Sequence, residues 1–164
     1  MNIIRTTILL LMLLLAAQPL FTQEDQDSAE EEEPEQSLEE QRSLTIQYGI
    51  DSQILELISQ LKEEQNENYF DPLEELFTET GNTELQTAIV DFFHTLENEN
   101  LVEESFERLG EYDNLDTKIV LQLTRYLEEY QNDSITQLFF EMIDDPRVEV
   151  ASAAIRAIGI CQEP

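Results

Sequence analysis

The chain of 164 residues carries 37 Asp and Glu against 8 Lys and Arg, a formal net charge of −29 at pH 7. That balance excludes nucleic acid as a partner, because a phosphate backbone is held by Lys and Arg that release counterions, and it disfavours an anionic membrane surface for the same reason. Cys161 is the only cysteine, which rules out an internal disulfide, and the length suits one domain or one domain with a tail.

In chain order, residues 1–22 read as a secretory signal peptide. Arg5 supplies the only early positive charge, and Ile8 to Ala17 is an unbroken apolar run. A membrane helix needs about 20 apolar residues, and here Arg5-Thr6-Thr7 and Gln18-Pro19 close the run on both sides. Cleavage is expected within a few residues of Thr22–Gln23, with Leu20 larger than the alanine preferred at that position, and no cysteine stands there to accept a lipid. The expectation is an exported protein, periplasmic or extracellular, with no membrane anchor after cleavage.

Residues 23–43 form an acidic tail. Its low-complexity stretch from Glu24 to Gln41 holds ten acids, no base and a single large apolar residue, Leu38. So little apolar surface does not offset the entropy of ordering, and the composition predicts a disordered spacer. It lacks the alternating Asp/Asn loop with a glycine and a closing Glu that a dedicated calcium site requires.

From Leu44 to Pro164 apolar residues recur at three-and-four spacing, which predicts helices throughout. Asp71-Pro72-Leu73-Glu74 reads as an N-cap, a first-turn proline and a capping Glu, and Asp145-Pro146 repeats that start. Other breaks fall at Thr80-Gly81-Asn82, Asp113-Asn114 and Asn132-Asp133-Ser134; the last is also a formal glycosylation sequon, but a helix cap explains it.

Two interleaved registers repeat. Leu73 and Leu76 recur one period on as Phe106 and Leu109, and at the same interval again as Phe139 and Met142. An apolar triplet at i, i+4 and i+7 occurs four times at nearly even steps, as Ile54/Ile58/Leu61, Leu85/Ile89/Phe92, Ile119/Leu123/Tyr126 and Ala151/Ile155/Ile158. Two helices per period of about 33 residues predict an all-α solenoid of stacked helical hairpins, with about three to four repeats.

The closing stretch resembles the second-helix motif of HEAT repeats, carried by Asp145, Pro146, Val148, Ala151, Ala154, Ile155, Ile158 and Gly159. Upstream the likeness is one of period alone, with Ala88 the alanine kept in a comparable slot. The resemblance implies a right-handed α-solenoid and a non-enzymatic role in protein–protein binding. A tetratricopeptide array has a similar period, but its tryptophan and its Leu-Gly…Tyr spacing are missing.

The faces of the second helices suggest where a partner binds. Opposite the triplets, three helices carry polar residues, and on the third of them Lys118, Leu121 and Arg125 combine two cations with a leucine on one ridge. Such a mixture suits a partner, with Arg able to fork onto a carboxylate; the alternative is pairing with Glu84, Asp91 or Glu128. On the last helix the corresponding residues Val150, Ala153, Ala157 and Ile160 are apolar, so Val150, Ala157 and Ile160 are expected to form an edge that needs cover. Either a further repeat beyond Gln162-Glu163-Pro164, making the chain a fragment of a longer protein, or a partner or second copy docking edge to edge would supply it.

No catalytic constellation emerges. His94 is the only histidine and Cys161 has no basic residue within four positions, so a metal cluster or an activated nucleophile is not assembled. No cofactor and no enzymatic activity are expected. The leading reading is an exported scaffold that binds protein partners of unknown identity; the alternative is a structural or oligomerising element of an envelope assembly.

Overall fold

The computed structural model describes the backbone of residues 37–130 and 132–161 and the side chains of those up to Gly159. The expected signal peptide and the part of the expected acidic tail before Ser37 lie outside the described residues. Among the described residues the fold is all-α, with eight α-helices, two 3-10 turns and no strand.

Helix α1 (Leu38–Tyr48) opens on Ser37, whose Oγ accepts from the Glu40 amide at 3.1 Å. Leu38 to Ser43 are therefore helical, and the domain boundary expected between residues 43 and 44 falls inside a helix. Tertiary contacts override the polar composition here: Ile46 is buried, and Arg42 pairs with Glu64 at 2.6 Å. The helix stops at Gly49, whose amide donates to the Thr45 carbonyl at 2.9 Å. A Cβ on residue 49 would stand 2.4 Å from that oxygen, so the close approach requires glycine.

Helices α2 (Asp51–Glu63) and α4 (Thr83–Thr95) end alike. Gln65 and Glu97 turn the chain with φ of 52° and 53°. Asn66 then donates to the Leu61 carbonyl and Asn98 to the Phe93 carbonyl, each at 3.0 Å, the closing bond of a Schellman motif. The Asn66 and Asn98 side chains accept from the amides of Asn68 and Asn100. Gln65-Asn66-Glu67-Asn68 and Glu97-Asn98-Glu99-Asn100 are thus one turn used twice, one repeat apart.

Helix α3 (Phe70–Glu79) begins one residue before Asp71, directly after a 3-10 turn (Glu67–Tyr69). Asp71 therefore sits in the first turn and is not the N-cap that the Asp-Pro signal predicts. The Phe70 ring draws the start inward, packing at 5.5 Å from Phe92 and 5.1 Å from Phe93. Pro72 does no harm, because first-turn amides have no intrahelical acceptor. Asn82 caps α4 and Asn132 caps α7 (Asp133–Met142), at expected breaks; the break expected at Asp113-Asn114 is a 3-10 turn (Tyr112–Asn114), and α6 (Thr117–Leu127) starts after it, capped by Asp116. Helix α5 (Val102–Leu109) lies between α4 and α6, and α8 (Val148–Cys161) begins two residues after Pro146, so Asp145 is not its N-cap and Pro146 is not in its first turn: the Asp145 side chain accepts from the Arg147 amide, and the Arg147 carbonyl takes the first helical bonds.

The even-numbered helices pack in series, α2 on α4, α4 on α6 and α6 on α8, while α1, α3, α5 and α7 each pack on the helix that follows. One core runs through them, from Ile46 to Ile158. The first three predicted triplets are buried in it, but the fourth is not, since Ile155 is 56% exposed. Val150, Ala154 and Ala157 hold the i, i+4, i+7 positions instead, each 0% exposed, so the buried triplet begins one residue earlier than Ala151. A slip of one residue turns a helix face by about 100°. Side-chain size points to Ile155, whereas α8 meets α6 and α7 through its smallest side chains. No helix among the described residues is long and apolar enough to cross a membrane.

Candidate interaction surface

Helix α6 buries Ile119, Val120, Leu123, Thr124, Tyr126 and Leu127, which leaves Lys118, Leu121, Gln122 and Arg125 on its other side. These four line an open concavity of about 490 Å³, walled by Thr87 on one flank and by Glu149, Ser152, Ala153 and Arg156 of α8 on the other. The structure therefore brings Lys118, Leu121 and Arg125 together as the sequence suggests, and adds Arg156. In the corrected register, which matches Ile119 with Val150, Arg156 holds the place on α8 that Arg125 holds on α6. The slipped register hid it.

The charge distribution sets this surface apart. Arg42 pairs with Glu64, Lys62 with Asp91 and Arg147 with Asp145, each at 2.6 Å. Arg108 lies over the Phe77 ring. Lys118, Arg125 and Arg156 make no ion pair within 4 Å among the described residues. The expected internal competitor Asp91 is already engaged, by Lys62 at 2.6 Å and by Gln122 Nε2 at 3.3 Å. Glu128 does feel the patch: burial raises its carboxyl above the ordinary range, and Arg156 and Arg125 partly offset that rise. The arrangement is a leucine flanked by three cations, able to receive a carboxylate beside an apolar side chain.

The second predicted site is corrected at two of its three residues. Val150 and Ala157 are fully buried against the rest of the core and present no edge. Ile160 lies within α8 but outside the residues whose side chains are described. Among the described side chains of α8, the large apolar ones exposed are Val148, at 73%, and Ile155.

His94 is placed by its partner beyond the end of α6, Nε2 meeting Glu129 Oε1 at 3.0 Å, with the Tyr126 ring edge-on to it. Among the described residues no three His, Cys, Asp or Glu side chains converge as a metal site. No protein-family model matches the chain, and the searches of curated proteins and of solved structures gave no match.

Proposed function

We propose that the chain is an exported, HEAT-like right-handed solenoid of four helical hairpins, and that it acts as a non-enzymatic scaffold holding a protein partner. The serial packing of α2, α4, α6 and α8 and the turn repeated at Gln65 and Glu97 support the repeat reading. The observation that carries the binding reading is the convergence of Lys118, Arg125 and Arg156 on Leu121 in a chain of net charge −29. Among the described residues these three cations make no ion pair, whereas Arg42, Lys62 and Arg147 each do.

The test replaces Leu121 with a photo-crosslinking residue in the full chain, expressed in its own host. A discrete adduct is expected, lost when Arg125 and Arg156 are both changed to Glu with no change in melting temperature. Adducts that survive the charge reversal, or that form equally from a crosslinker at exposed Glu56, would sink the assignment. Self-association is the second reading, and exposed Val148 and Ile155 are what favours it. Native mass spectrometry of the wild type against an Ile155→Glu variant separates the two.

A further inference from the structure

Helices α5 and α7 make few direct contacts with each other. Two adjoining concavities open between them, about 1080 and 560 Å³, joined through Phe106, Asp133 and Ser134. Val102, Phe106, Tyr130 and Leu138 give the groove an apolar floor, and Glu103, Glu107, Asp133 and Glu141 stand on its rim. Among the described residues its lining holds no lysine or arginine.

An acidic rim over an apolar floor suits a cation with an aliphatic neighbour, and the adjacent pair of helices holds such a cation from within the chain. Between α3 and α5, Arg108 of α5 reaches back onto α3. Its guanidinium carbon lies 5.5 Å from the centre of the Phe77 ring, and Nη2 reaches the Thr80 carbonyl at 3.5 Å. In the register that matches buried Leu109 with buried Met142, the counterpart of Arg108 is Glu141. Glu141 cannot lie as a cation over an aromatic face, and it accepts from Gln137 Nε2 at 3.1 Å on its own helix. The second groove thus has carboxylates but not the arginine, and its ring is placed differently: Gly110 stands where Phe77 does, and Phe106 supplies the aromatic surface one turn earlier.

We propose that the α5–α7 groove docks a basic segment of a partner protein, an arginine or lysine side chain lying over Phe106 and an adjacent aliphatic side chain seated on Val102 and Leu138. Cation–π attraction and the rim carboxylates select the charge, the apolar floor selects the neighbour, and the net charge of −29 steers such a segment inward. The groove shares no residue with the Lys118–Arg125 surface, so the inference goes beyond the scaffold site proposed above.

The probe is a short fluorescein-labelled peptide of alternating Arg-Arg-Leu and Arg-Leu units, titrated into the full chain by anisotropy at about 0.15 M salt, where exposed charges beyond about 8 Å are screened. Glu103→Lys with Glu107→Lys should weaken binding at least tenfold, and Phe106→Ala should do likewise without any change of charge. Glu141→Arg, which supplies the missing cation from within, should weaken it by a similar factor. Glu56→Lys with Glu63→Lys, the same charge change on exposed α2 positions, should alter it less than threefold, and Arg125→Glu should not weaken it. Equal losses from both double reversals would mean general polyanion attraction and overturn the site, as would a peptide that does not bind the wild type or a Phe106→Ala variant that binds as well, melting temperature unchanged.

Discussion

Asp145 and Arg147 close on each other across one proline. Arg147 Nε donates to Asp145 Oδ1 at 2.9 Å, Nη2 to Oδ2 at 2.6 Å, and the Arg147 amide to Oδ1 at 2.7 Å. The guanidinium then reaches back along the chain, donating from Nη1 to the Leu115 carbonyl at 2.8 Å and from Nη2 to the Tyr112 carbonyl at 2.9 Å. One side chain thereby ties the start of α8 to the turn that precedes α6, and the Asp-Pro signal visible in the sequence is half of a clamp between successive helical pairs.

Arg147→Met should therefore be among the most damaging single changes. It leaves the Asp145 side chain, 0% exposed, as a charge without its partner and frees two carbonyls. Removing one member of such a pair costs about 2–4 kcal/mol. Arg147→Lys, which keeps charge but loses the fork, should fall between. Urea unfolding midpoints decide it; a Met variant within about 0.5 kcal/mol of wild type would show the clamp to be ornamental.

Stability should rise as the pH is lowered through the carboxylate range toward about 4.3, and fall as it drops below about 3.9. Burial raises the Glu74 carboxyl above its ordinary range, with Glu104 and Asp71 adding to the rise, and burial raises Glu128 in the same direction. A carboxyl raised in the folded state contributes stability that is full below its unfolded pKa of about 4.3 and is lost as pH climbs through the folded value. Asp145 is the opposite case. The Arg147 fork lowers its pKa, so its contribution is present above the unfolded value of about 3.9 and lost as pH drops through the folded one. Melting temperatures across this range test both limbs, and Glu74→Gln should flatten the upper limb only.

Tyr126→Phe should cost about 1–2 kcal/mol, since a buried hydrogen bond disappears and its acceptor stays. Tyr126 is 0% exposed, and its hydroxyl donates to the Asn98 carbonyl at 2.6 Å, joining α6 to the turn between α4 and α5. Burial holds the phenol far above its usual range. Its neutral form thus supports the fold up to the unfolded pKa of about 10, and that support is lost at higher pH. The Phe variant should lose less stability than wild type between neutral pH and about pH 11.

How much of this was legible depends on what each residue signals. Apolar spacing revealed α2, α4 and α6 because Ile58, Leu61, Ile89 and Leu123 are large and fall on one stripe. Side chains at polar breaks gave two caps, since Asn82 and Asn132 do locally what their type allows, while Asp113-Asn114 marked a turn and the cap fell to Asp116. Three things were hidden. Composition concealed the start of α1, because a helix stabilised by one buried isoleucine and one ion pair looks like its acidic surroundings. Asp71 followed by proline imitated a cap that the Phe70 ring displaced. On α8 small residues mark the packed face and large ones the open face, which inverted the reading and hid Arg156 behind it.

Two substitutions on α8 separate the registers. Ala157→Leu adds volume at a fully buried contact and should destabilise by about 1–3 kcal/mol. Ile155→Gln removes a half-exposed side chain and should stay within about 0.5 kcal/mol of wild type. The register that places Ile155 in the core demands the reverse order, so thermal unfolding of the two variants side by side tells them apart.

Gln65→Gly and Glu97→Gly should each raise stability, by about 0.5–1 kcal/mol. Both residues hold positive φ at the ends of α2 and α4, a conformation that crowds any Cβ against the following carbonyl and that glycine adopts freely. Glycine also enlarges the unfolded ensemble, which offsets part of the gain. The two sites lie in separate turns of the same design, so their effects should add in the double variant. A gain at one position with a loss at the other would mean that the two turns, alike in backbone, differ in what their side chains contribute.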